Sequence, residues 1–251
     1  NLQITEIRTL SQIRSGMSDA FGAKAANVAE LHRLIPDNAP DGSAIPFYFY
    51  DEFMKFNGLY EEARTMTEQP LFQNSPLFRD ALLRQFRDKI EDSQLPPWMS
   101  EAVDRLRNSF SPTATLRLRS STNNEDLEGF NGAGLYDSYT HGLDEGPLTK
   151  SVKQVWASLW NYRAFEERDF WRIDHFSAAM GILVHANYTG EQANGVGVTT
   201  NIFDPNWEGH YVNVQVGENL VTNPDAGSTP EEYLIAELFG GSDEIQYIRF
   251  S

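Results

Sequence analysis

The sequence predicts an α+β fold, and three patterns carry that prediction. Thr115-Leu116-Arg117-Leu118-Arg119 alternates apolar and polar with the period of a strand, which puts Leu116 and Leu118 on a core face. Met180 to His185 is an apolar run of the length of a buried strand. Elsewhere apolar residues recur at helical spacing: Phe78, Leu82, Phe86 and Ile90 between Ser75 and Ser93, and Val152, Val155, Trp156, Leu159, Trp160 and Ala164 between Pro147 and Arg172. Helices and strands are thus interleaved in 251 residues, enough for one large domain or two lobes.

In chain order, residues 1–17 space Leu2, Ile4, Ile7, Leu10 and Ile13 among polar residues and fit either a short helix or a strand. Ser18-Asp19 starts a helix that continues from Phe21 to Leu34, with Lys24 in its first turn. Residues 35–43 are turn-rich, and Ile45-Pro46-Phe47-Tyr48-Phe49-Tyr50 reads as a strand. Asp51 caps a helix to about Asn57, and Leu59 to Met66 forms another. Ser75 caps the next helix, with Pro76 as its first residue; Pro96-Pro97 starts one that runs to about Phe110 with Met99, Val103 and Leu106 inward. These helices read as core packing. The Arg119 strand stops at Ser120-Ser121 and gives way to a polar loop with Gly129, Gly132 and Gly134, followed by a short run from Leu135 to Tyr139. Pro147 to Arg172 is expected to be the longest helix, with its tryptophans in the core. Strands follow at Met180–His185, Gly195–Asn201, Tyr211–Val216, Glu231–Ile235 and Ile245–Phe250.

Composition narrows the function. A net charge of −16 argues against nucleic acid and anionic membranes, which call for a basic face. A phosphate ligand would need local positive charge or a bound metal, and the acidity itself fits a well-solvated surface. No apolar run approaches the roughly 20 residues of a membrane span. With no cysteine there are no disulfides, zinc–thiolate sites or cysteine nucleophiles. A first residue Asn1, with no signal-peptide pattern behind it, suggests a domain cut from a longer protein or a processed chain.

One stretch carries chemistry. A strand that delivers Arg119 into Ser120, Ser121, Thr122 and a glycine-containing loop suits a phosphate: arginine brings a planar, permanent charge, hydroxyls add donors, and glycine lets backbone N–H groups approach an anion. The plain alternative is a polar hairpin loop. Four segments separate the two. R-S-S-x-x-x-E-D-L with G-A-G-L-Y-D-S (119–138), F-G-A-K-A-A-N-V-A-E-L (21–31), V-W-A-S-L-W with Arg163-Ala164 (155–164), and Q-V-G-E (215–218) occur in the order found in the nucleotide-binding domain of pyruvate phosphate dikinase, phosphoenolpyruvate synthase and glucan, water dikinase. The chain resembles that family over roughly residues 19–235.

The resemblance implies an ATP-grasp-like, two-lobed α+β domain with the nucleotide between lobes at about 1–113 and 114–251. It implies ATP and Mg²⁺ as cofactors and a cytoplasmic location. Lys24 and Arg119 would hold phosphate oxygens; Ser120, Ser121, Thr122, Gly132 and Gly134 would shape the loop over them. Glu218 would be a metal ligand, and Glu232 is chosen as the second. Arg163 would be structural or brace the loop. Arg117 and Arg119 share a strand face, but Arg119 is nearest the loop and occupies the motif position, so Arg117 is expected to contribute little. His185 stands where relatives have Gln near the adenine; it either bonds a base edge or is a satisfied core histidine. Tyr48 stands where relatives often have Gly. In the dikinases phosphate passes to a histidine on a separate domain, so the implied partners are ATP and a phosphohistidine domain, in the full-length protein or in trans. None of the five histidines here lies in that histidine's sequence context. The alternative is a degenerate, non-catalytic module of structural or interaction type.

Overall fold

A computed structural model of the chain describes residues 1–124, 134–217, 221, 229–238 and 242–249. The chain forms two compact units, Asn1–Asn187 and Tyr188–Ser251.

The first unit is built on a five-stranded antiparallel sheet. Its strands are β1 (Arg8–Thr9), β2 (Gly42–Ile45), β3 (Leu116–Thr122), β4 (Ser138–His141) and β5 (Met180–Ala186), in the spatial order β1-β2-β5-β3-β4. Register sorts its side chains. Ile45 faces Ile182 and Leu118 faces Val184, and with Leu116 all are buried in the larger core. The opposite face carries Ala44 and Leu183, which pack with Ala20, Phe21, Ala25 and Ala29 into a smaller core. Those last four residues come from α1 (Ser18–Phe21) and α2 (Ala23–Leu34). The expected single helix over this stretch is broken at Gly22, whose φ of +85° is left-handed.

The larger core is covered by α3 (Phe47–Phe56), α4 (Leu59–Thr67), α5 (Pro70–Asn74), α6 (Pro76–Asp92), α7 (Pro97–Asn108), α8 (Leu148–Ala157) and α9 (Tyr162–Phe170). Three expectations change here. The strand expected over 45–50 ends at Ile45, and Phe47–Phe56 is helix: Phe49, Tyr50, Phe53 and Met54 are buried at helical spacing. On α6, with Ser75 as its cap, the buried stripe is Leu83, Phe86 and Ile90 rather than one that includes Phe78. The longest helix is α6, 17 residues, because the expected 147–172 helix is interrupted. After a 3₁₀ turn at Ser158–Trp160, Asn161 is extended (φ −56°, ψ 139°). Its side chain accepts from Arg87 Nη1 at 2.8 Å and donates to Asp137 Oδ2 at 3.0 Å, bonds that a mid-helix position would not direct outward to two other segments.

The units do not part near residue 113. β3 is hydrogen-bonded to β5 from Leu116 to Thr122, and its leucines join the same core as α3–α9, so residues 114–187 belong with the N-terminal helices.

The second unit is an antiparallel meander of β6 (Ala193–Val198), β7 (His210–Val216), β8 (Glu231–Leu238) and β9 (Ser242–Arg249). Tyr211 and Leu234 are cross-strand partners and buried. Phe203 meets Tyr211 edge-on, its turn held by Asn201 Oδ1, which accepts from the Phe203 and Asp204 N–H groups.

Candidate functional site

β3 and the start of α2 interlock. α2 needs acceptors for its first N–H groups, and its N-cap, Gly22, has no side chain to offer one. Ser121 supplies it from the sheet: its Oγ accepts from Ala25 N–H at 3.0 Å. The approach is so close that a Cβ on Gly22 would lie 2.3 Å from Ser121 Oγ and 2.4 Å from its carbonyl oxygen. Gly181 is constrained alike: a Cβ there would lie 2.7 Å from the Phe21 carbonyl oxygen. One residue into α2, Lys24 Nζ donates to the Ser120 carbonyl at 2.7 Å and lies 3.4 Å from Ser120 Oγ. The two motifs farthest apart in their chemistry, the lysine helix and the arginine strand, therefore meet in one place.

The pleat turns Arg117, Arg119 and Ser121 to the α2 face of the sheet. His185 lies opposite Arg117 on the same face, 5% exposed. Its ring is held by the Ala186 carbonyl, 2.8 Å from Nδ1, and burial, reinforced by Arg119 and Arg117, keeps it below the usual histidine range and neutral. Arg119 is half-buried and has no hydrogen-bond or ion-pair partner among the described residues. A basic, partly desolvated face with a neutral imidazole at its edge is suited to a polyanion.

Ser120 and Thr122 are not loop residues. β3 continues its pairing to Thr122, opposite Met180, so these two alternate to the larger-core side and are 1% exposed. The chain leaves the strand at Asn123, whose amide accepts from Ala179 N–H (2.9 Å) and donates to the Ser177 carbonyl (2.8 Å). It returns at Gly134, a left-handed turn with φ +75°. Tyr136 then anchors it: its hydroxyl donates to Asn124 Oδ1 at 2.9 Å and accepts from Arg168 Nη1 at 3.3 Å. Arg168 is fully buried and also donates to the Leu159 carbonyl (2.7 Å) and His175 Nδ1 (3.2 Å). The residues bracing this return are thus Asn161 and Arg168. Arg163, expected there from the motif, is exposed. Arg168 had a signal in the sequence, since it falls three and four residues after Phe165 and Ala164 on the buried stripe of α9.

Lys24, Arg119, Ser121 and His185 are brought to one sheet face. Gly132 and Glu218 lie outside the described residues. Glu232 sits on β8 in the second unit, opposite Asn213, with its carboxylate in an ion pair with Arg249. Among the described residues no three acidic or histidine side chains cluster as a metal site.

The family model for the pyruvate phosphate dikinase AMP/ATP-binding domain matches residues 18–240. The chain belongs to this family. Its domain is similar to phosphoenolpyruvate synthase of Aeropyrum pernix, 28% identical over 70% of this chain and 22% of that protein. A probable phosphoenolpyruvate synthase of Methanocaldococcus jannaschii is 24% identical over 91% of this chain and 19% of its own length. Rifampicin phosphotransferase of Bacillus cereus is 23% identical over 65% of the chain and 19% of that protein. The chain spans about a fifth of the length of these larger relatives. It is an ATP-binding domain of dikinase type, and none of its described helices is long and apolar enough to cross a membrane.

Proposed function

We propose that this dikinase-family domain binds ATP with the polyphosphate against the Lys24–Arg119 face, and passes a phosphoryl group to a histidine on a separate domain. The observation that carries the reading is Arg119, half-buried and unpaired among the described residues, next to the Ser120 carbonyl that holds Lys24, in a chain with net charge −16. Phosphoryl transfer is chiefly positioning and charge neutralisation. Lys24, tied to the Ser120 carbonyl, and Arg119, on the adjacent residue, are positioned to neutralise neighbouring oxygens. Mg²⁺ supplies further neutralisation of the phosphates and is commonly held by only one or two protein carboxylates. Glu218 is the ligand we assign, with Glu232, whose Oε1 is paired with Arg249, as the second. Such a reaction belongs in the cytoplasm, where ATP is.

Calorimetric titration with ATP tests this. Arg119→Ala should lose roughly 1.5–3 kcal/mol, about ten- to a hundredfold in affinity. Arg119→Lys should also be weaker, because it keeps the charge and loses the fork. A chelator should weaken wild-type binding, since a strongly acidic chain offers a polyphosphate no long-range attraction. Equal affinities for wild type and Arg119→Ala would overturn the assignment. The Glu232–Arg249 ion pair favours a second reading, a non-catalytic structural or interaction module, and absence of ATP binding with or without Mg²⁺ would select it.

A further inference from the structure

Arg117 and Arg119 stand two residues apart on β3, about 6.6 Å along the strand, and point to the same face. The strands on either side leave them without a counter-charge. Arg117 is flanked by Thr140 and His185, and Arg119 by Ser138 and Leu183. Among the described residues neither guanidinium has a carboxylate within ion-pair distance, in a chain with 36 acidic residues. Other arginines of the same unit, such as Arg79 with Glu166 and Arg84 with Asp80, are paired.

Arg117 is also held in place. Its Nη1 donates to Thr140 Oγ1 at 2.9 Å, which fixes the plane of the guanidinium and leaves its other N–H groups for something else. Its environment opposes the charge: burial pushes its pKa down, and the neighbouring Arg119 adds to the shift. Two half-buried like charges side by side cost the empty protein stability, and a single negative charge would offset only one of them. A ligand bearing two or more adjacent negative charges offsets both.

We propose that Arg117 is a second polyphosphate-binding residue, gripping a phosphate next to the one held by Arg119. The proposal rests on the nucleotide reading above and deepens it. It makes the site selective for nucleoside di- and triphosphates over monophosphates, and it gives a role to a residue that sequence position alone sets aside. Thr140 acts through Arg117 as a positioning residue.

The test uses the full chain with Arg117→Ala and Arg117→Gln, the second of which keeps a stem and a donor toward Thr140. Titrations with ATP, AMP and inorganic tripolyphosphate at fixed Mg²⁺ are compared with thermal denaturation of the ligand-free proteins. Both variants should lose about tenfold in affinity for ATP and for tripolyphosphate alike. AMP binding should change little. The ligand-free melting temperature should stay level or rise, because an uncompensated charge has been removed; a merely structural arginine would give the reverse. Unchanged ATP affinity, or a loss for ATP without one for tripolyphosphate, would overturn the proposal alone. So would weaker binding that only follows a fall in melting temperature in both variants. A wild-type chain that binds neither ATP nor tripolyphosphate would overturn the nucleotide reading itself, and the proposal with it.

Discussion

Gly22 combines two demands that no other residue type meets together. Its φ of +85° is left-handed, and the space where a Cβ would go is filled by Ser121 backbone and hydroxyl atoms. Gly58 makes a useful contrast: its φ is +65°, but nothing lies within 4 Å of an added Cβ. Gly58→Ala should cost only the conformational strain, about 1–2 kcal/mol. Gly22→Ala adds a clash with backbone and disturbs the Ser121–Ala25 bond, so its loss should be at least about twice as large, seen as a correspondingly larger drop in melting temperature. Equal drops would mean that α2 shifts away from β3 without cost. At this scale much was legible. Lys24 and Arg119 stand in their motifs, and Lys24 Nζ bonds the Ser120 carbonyl, one residue along from Arg119. What the sequence could not convey is that Ser121 caps another element, because an acceptor 96 residues away leaves no local pattern.

Among the elements, α9 shows why periodicity misled. Val152 to Ala164 keeps helical spacing through a break, since a 3₁₀ turn and one extended residue preserve the buried side while redirecting the axis. The break matters because α9 carries Arg168 to Tyr136 and stacks Phe165 on His175, ring centroids 3.8 Å apart and 11° from parallel. Burial lowers the His175 pKa to about 4; Arg168 and Arg79 add to this, and Asp169 and Asp174 partly oppose it. In the unfolded chain the imidazole takes its proton near 6.5. The folded state therefore keeps its full margin above pH 6.5 and loses up to about 3 kcal/mol as pH falls toward 4, with no further loss from this group below that. Denaturant melts across that interval should show the slope, and His175→Asn, which retains an acceptor for Arg168, should flatten it. An unchanged slope in the variant would assign the effect to carboxylates instead.

For the whole molecule, the division of the chain between residues 187 and 188 was not legible in advance, because hydrophobic patterning locates strands and says little about which of them pair. Asn1–Asn187 contains the complete five-stranded sheet and both of its cores. A fragment of residues 1–187 should therefore unfold in one cooperative transition, with Lys24, Arg117 and Arg119 arranged as in the full chain. Loss of cooperativity in the fragment would show that residues 188–251 are needed to complete the first unit.

The strand order β1-β2-β5-β3-β4 also sets a clock. β2 and β3 are not neighbours in the sheet; beyond their outer partners β1 and β4, both need β5, which lies between them and is the last of the five to be made. At cellular synthesis rates of about 5–20 residues per second, the interval from the end of β2 at Ile45 to the end of β5 at Ala186 is roughly 7–28 s. Throughout it Ile45 lacks its central neighbour; Leu116 and Leu118 join it only when β3 is made, and wait about 3–13 s from Thr122 to Ala186. The site-bearing strand is thus complete before its central partner exists, which makes this domain a natural client for ribosome-bound chaperones.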